Sequence, residues 1–148
     1  MNAQNLPEIH VADDLPPSVK PGTYDFVFVD FKTAMMFMGK APKLVMTFRI
    51  VTMGEFFETE LNRYYNVKRI YGKPQRHGRF KPSTSGSFLR EYMTLFTGRV
   101  NRVDRIPMSY FESVIIEGRV ETVTRSRGKD IPKELQYSVI KELLGVRK

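Results

Sequence analysis

The chain has 148 residues, 24 of them Lys or Arg against 16 Asp or Glu, with a formal net charge of +8 at pH 7, 41% hydrophobic residues and no cysteine. Such a length and apolar content suit one domain with a real core and exclude a disordered chain. Lacking cysteine, the chain has no disulfide framework, thiolate chemistry or Cys-based zinc site, which fits an intracellular, cytoplasmic protein. No basic start followed by an apolar run opens the sequence, and no run approaches the roughly 18 apolar residues of a membrane span, so no membrane partner is expected.

The opening stretch carries Glu8, Asp13 and Asp14 with no base before Lys20, and Pro7, Pro16, Pro17 and Pro21 deny regular pairing. It predicts an irregular, acidic, Pro-rich arm over residues 1–21, with one folded domain over 22–148. From Gly22, GTYDFVFVDF alternates with apolar residues on both sides, the mark of a well-covered strand. In KTAMMFMGKAP, the default role of Met35, Met36, Phe37 and Met38 is to plug a barrel end, since flexible Met fills gaps. A second strand is predicted over Lys43–Val51, with Leu44, Met46, Phe48 and Ile50 inward and Lys43, Thr47 and Arg49 outward. After a turn around Gly54, a third strand runs from about Phe57 to Val67, with Leu61, Arg63, Tyr65 and Val67 on one side and Tyr64 on the other.

From Leu61 to Arg90 the chain holds Arg63, Lys68, Arg69, Lys73, Arg76, Arg79, Lys81 and Arg90 and no acid. Outside this window the 16 remaining bases equal the 16 acids, so the whole excess charge is local. Tyr64, Tyr65, Tyr71, Phe80 and Phe88 are interleaved with it. Cations that meet phosphates and rings that stack on bases are what an unstacked, charged single strand requires. A Gly/Pro/Lys-rich run can also be a plain soluble loop, but such a loop would be expected to mix signs.

Gly72, Pro74, Gly78, Pro82 and Gly86 predict a long, mobile loop at about 69–86. A helix follows in SGSFLREYMTLFTG, with Phe88, Tyr92, Leu95 and Phe96 on its core face, Ser85 or Ser87 as cap and Gly98 as its end. A short turn is expected at Pro107 to Phe111, then a strand over Val114–Thr124 with a bulge or bend at Gly118, then a charged turn in RSRGKD. The last segment, KELQYSVIKELLGVRK, fits either a short strand around Tyr137–Ile140 or a helix packed on the sheet.

Taken together, the fold class is mainly β with one or two helices: an OB-fold-like five-stranded barrel with a helix between strands three and four. GTYDFVFVDF, PKLVMTFRIV, ELNRYYNV, the helix, EGRVETVT and YSVI resemble the small OB-fold single-stranded DNA-binding proteins of phages and other mobile elements. The resemblance covers about Gly22 to Ile140. It implies a non-enzymatic protein that coats single strands during DNA replication or recombination. Many of those proteins end in an acidic tail that recruits partners, whereas this chain ends GVRK.

The residues themselves assign phosphate contacts to Arg63, Lys68, Arg69, Lys73, Arg76, Arg79 and Lys81, extended by Arg49 and Lys43, and base stacking to Tyr64, Tyr71 and Phe80. Tyr65 and Phe88 fit the core equally well. Single-stranded DNA is the expected partner, with RNA, a homo-oligomer and replication or recombination proteins left open. No catalytic residue, metal ligand or cofactor is expected: His10 and His77 are isolated, no phosphate-binding Gly-rich motif occurs, and the carboxylates are scattered. The alternatives are a replication or recombination adaptor that uses its Met-rich and aromatic segments as a protein interface, and an RNA-binding OB domain.

Overall fold

Apolar alternation from Gly22 runs on past its motif, and the resulting long strand has two neighbours in succession. The computed structural model describes residues 17–36, 38–97, 106–126 and 128–147. Strand β1 (Gly22–Met36) pairs antiparallel with β6 (Ile115–Val123) through Val27, and with β2 (Ala41–Ile50) from Phe26 onward. The β1–β2 register slips between Phe28 and Asp30, leaving Val29 unopposed where pairing with β6 stops. Such a bulge bends and twists the strand, which lets β1 leave one neighbour for the other.

Strand β3 (Glu60–Asn66) pairs with β2, and β9 (Tyr137–Val146) pairs with β6, giving one antiparallel sheet in the order β3-β2-β1-β6-β9. Helix α1 (Ser87–Leu95) lies between β3 and β6 in the chain. The mainly β class, the five strands and the position of the helix are as the sequence pattern predicts. The closed barrel is not: β3 and β9 come close but share no ladder, so the ring stays open at one seam.

Inside, Phe26, Leu44, Met46, Phe48, Leu61, Tyr65, Ile116 and Ile140 form the core. One end is closed by Phe88, Tyr92 and Phe96 together with Phe111, the last carried on a 3-10 turn at Met108–Ser113. The Phe111 ring meets those of Phe28, Phe48, Tyr92 and Phe96 at 5.1 to 6.4 Å, mostly edge to face, the favoured arrangement. These rings do the work expected of the methionines. Met35 and Met36 continue β1 instead, because Met36 still pairs with Ala41, and Met38 at the hairpin tip is 91% exposed. Phe37 lies outside the described residues.

Other departures are local. β3 begins at Glu60, because the chain before it turns through Glu58 at φ +72°. The N-cap of α1 is Gly86, with no side-chain capping bond from Ser85 or Ser87, and Gly98 lies outside the described residues. The last segment is a strand of 10 residues, and its register against β6 slips twice, next to Gly118 and again next to Val120. Arm residues 17–19 are docked along β9: Ser138 donates its backbone N–H to the Pro17 carbonyl at 3.0 Å, and its hydroxyl bonds both the N–H and the carbonyl of buried Val19. Residues 1–16 lie outside the described residues.

Gly118 is required by packing as well as by the bend. A Cβ there would sit 3.0 Å from Cε2 of Phe26, itself fully buried. Gly118→Ala is therefore expected to cost about 1–3 kcal/mol through overpacking. Urea denaturation should show a lower midpoint, and adding Phe26→Leu should recover part of the loss.

Candidate nucleic-acid interface

Period-two alternation along β3 divides the basic window at its start. Arg63 faces inward with Leu61 and Tyr65 and is 9% exposed, which corrects the expectation that it contacts phosphate. Its guanidinium forms an ion pair with Glu91 of α1, itself 3% exposed, and lies 4.1 Å from the centre of the Tyr65 ring. Glu91 Oε1 also accepts from the Tyr65 hydroxyl at 2.8 Å and from the Leu143 backbone N–H of β9 at 2.8 Å. Burial works against the Arg63 charge, but the hydrogen bond and field of Glu91 outweigh it and hold its pKa above the ordinary value. Burial, reinforced by the Glu91 charge, pushes the Tyr65 phenol well up, so it stays a donor. The pair of Arg63 and Glu91 thus ties β3 to β9 on the inner side of the open seam.

The stretch after β3 is not the mobile loop its glycines and prolines predict. Strands β4 (Arg69–Tyr71) and β5 (Arg79–Lys81) form a hairpin, and Phe80 packs edge-on against Phe88 at 5.5 Å. Phe80 is half-buried there, so part of its ring is given to packing against the core. The hairpin tip docks on the part of β1 that β6 leaves unpaired. Thr33 N–H donates to the Gln75 carbonyl, Gln75 N–H to the Thr33 hydroxyl, and His77 N–H to the Phe31 carbonyl, at 3.0 to 3.1 Å. A Cβ on Gly78 would fall 2.3 Å from the Thr33 hydroxyl oxygen, so only glycine fits. Arg76, expected on phosphate, donates through Nε to Asp30 at 2.7 Å, while the His77 ring bonds the same carboxylate and stacks on Phe31. The Arg76 hydrogen bond, with help from His77 and against some desolvation, holds the Asp30 carboxyl below its usual range.

Lys68, Arg69, Lys73, Arg79, Arg90 and the Tyr71 ring are exposed, as is Arg76 beyond its contact with Asp30, and the Arg79 guanidinium lies 5.8 Å from the Tyr71 ring centre; Lys81 is half-buried. On the outer face of β2 and β3, Lys43, Thr47 and Arg49 stand opposite Asn66, Asn62 and Glu60. Thr47 donates to Asn62 at 2.8 Å, and the Asn62 amide donates to the Tyr64 hydroxyl at 3.1 Å, so Tyr64 is held by a polar chain along its own strand. Arg49 lies six residues from Lys43, about 20 Å along the strand; its Nε is buried with no hydrogen-bond partner among the described residues.

The open seam forms a cleft of about 300 Å³ whose walls include Lys43 and Tyr64 on one side and Tyr137, Val139 and Lys141 of β9 on the other. No carboxylate lines it among the described residues. Of the expected site residues, Lys43, Arg63 and Tyr64 line this cleft, Arg63 with its charge already paired to Glu91. Tyr137 and Lys141 were missed, because the last segment read equally as helix or strand; a strand alone places Tyr137, Val139 and Lys141 on one face. A second cleft, of about 570 Å³, lies at the hairpin base between Asn66, Lys68, Lys81, Ser83 and Thr84.

Among the described residues, no three His, Asp or Glu side chains gather as metal ligands, and no helix is long and apolar enough to cross a membrane. No protein-family model, curated protein or solved structure matches the chain.

Two outcomes test this geometry. Glu91→Ala leaves Arg63 buried and unpaired, with an expected loss of about 3–5 kcal/mol; Arg63→Met with Glu91→Leu should lose much less, as a denaturation cycle would show. Because the Asp30 pKa is lowered by folding, its contribution is complete above the ordinary aspartate range near pH 4 and is lost as pH falls through the lowered value. Amide-exchange protection at Thr33 and His77, corrected for intrinsic rates, should hold from neutral pH down to that range and then fall. Asp30→Asn should weaken it at every pH.

Proposed function

We propose that this chain is a non-enzymatic protein that binds single-stranded DNA and coats it during replication or recombination. The observation that carries the reading is the seam cleft, where two tyrosines, two lysines and the Glu91-paired Arg63 line a common space with no carboxylate among the described lining residues. Rings accept any base, so sequence preference should be slight. Tyr64 and Tyr137 would stack on bases, while Lys43 and Lys141 meet the phosphates on either side. Tyr64 is suited to this because its hydroxyl is already tied to Asn62, which limits the freedom lost on binding.

Arg69, Lys73 and Arg79 on the hairpin, which have no carboxylate partner among the described residues, extend the same field beyond the cleft, with Tyr71 as a further ring. They capture the strand electrostatically, and each phosphate contact lowers the salt exponent of binding by about 0.7. A duplex keeps its bases stacked on one another and gives the tyrosines nothing to hold, so discrimination against duplex follows from the stacking component.

Fluorescence anisotropy of a labelled mixed-sequence strand tests this. Binding should weaken steeply with salt, be competed by single strands and not by duplex, and fall by about 1–3 kcal/mol for each of Tyr64→Ala and Tyr137→Ala. Absence of binding at low salt would sink the reading. Single-stranded RNA that competes as well as DNA would move it to the RNA-binding alternative.

A further inference from the structure

Some basic side chains of this protein are neutralised within the fold. Arg63, Arg76, Arg119, Arg125 and Arg147 are each ion-paired to a carboxylate. Lys68 and Lys81 have no such partner among the described residues, although both face the cleft at the hairpin base. Neighbouring cations repel, so two ammonium groups brought together on one cleft with no carboxylate among its described lining residues hold a locally positive field open to an anion.

The chemistry of that cleft differs from the seam. Asn66, Ser83 and Thr84 add amide and hydroxyl donors to the two ammonium groups, and no aromatic ring is among the described lining residues. It can hold phosphate oxygens but offers no stacking surface. Its walls are fixed: the Lys68 N–H donates to the Lys81 carbonyl at 2.8 Å, Pro82 is buried, and Gly86 N–H closes a turn onto the Ser83 carbonyl at 3.1 Å. The two clefts are neighbours. Asn66, in the wall of this one, accepts a hydrogen bond from the Lys43 ammonium, in the wall of the other.

We propose that the hairpin-base cleft is a second subsite, which takes the phosphodiester backbone of the same strand whose bases stack in the seam. This rests on the single-strand reading above. Tyr64 and Lys68 are four residues apart, about 14 Å at strand spacing, so a strand that fills both clefts is longer than one that fills the seam alone. The hairpin, inserted between β3 and α1, is then what lengthens the occluded segment.

The test compares wild type with Lys68→Gln/Lys81→Gln, which removes both ammonium charges and keeps polar side chains of similar length at the exposed Lys68 and the half-buried Lys81. Labelled strands of about 4 and about 16 nucleotides span the range held by one domain of this type. The double variant should bind the short strand as wild type does, bind the long strand about 25-fold more weakly at 0.1 M salt, and show a salt exponent smaller by about 1.4. An unchanged exponent on the long strand, or an equal loss on both lengths, overturns the second subsite while leaving the seam reading intact. Inorganic phosphate, matched in ionic strength against chloride, separates the two sources of the anion: if it removes the long-strand advantage, the cleft is a free-phosphate site and the proposal fails. If wild type binds neither length, both the single-strand reading and the subsite fall.

Discussion

The buried contact among Arg63, Glu91, Tyr65 and the Leu143 N–H is the constraint on which the rest of the structure depends. A five-stranded sheet that curls toward closure must either ladder its last two strands or satisfy their edges some other way. Here β3 and β9 meet through one carboxylate of α1, which takes hydrogen bonds from side chains of β3 and from the backbone of β9. One glutamate therefore fixes the helix against both strands. Burying an ion pair costs desolvation, and apolar packing could hold the same strands with less. What the charged solution provides is direction: the carboxylate has places for specific donors, and a slipped strand would leave a charge unmatched.

The same device explains why there is a cleft at all. A complete ladder would draw β9 against β3 and bury the space between Tyr64 and Tyr137. Side-chain closure on the inner face holds the strands in position and leaves the outer face parted. Stability and the candidate binding surface thus come from one arrangement seen from its two sides.

Much of this is legible in the sequence, and the failures have identifiable causes. Period-two patterns gave β1, β2 and β3 as strands and β2 with the correct inward face, and helical spacing placed Phe88, Tyr92, Leu95 and Phe96 in the core. The inward position of Arg63 was equally visible, since it shares a face with Leu61 and Tyr65. Its burial was not, because the neutralising Glu91 is 28 residues away on another element. Composition suggested a mobile loop at 69–86, but Gly78 is there to admit the Thr33 hydroxyl, and Arg76 and His77 tie the tip to Asp30. Such long-range pairings leave no local signal. Tyr137 and Lys141 were hidden by the ambiguity of a segment whose leucines fit both periods.

The docked hairpin changes what the positive charge can do. A mobile basic loop reaches many places but must be ordered on binding, at a cost for every backbone and side chain immobilised. A hairpin fastened at its tip to β1 and at its base through Phe80 has already lost that freedom in folding. Its exposed cations, Arg69, Lys73 and Arg79, are then carried on backbone that is already ordered. Two of the eight basic residues in the window, Arg63 and Arg76, serve to build this frame, one in the core and one at the hairpin tip. The local excess of charge in the sequence is therefore partly architectural, and only the cations left unpaired after the fold is assembled set the field that an anionic strand would meet.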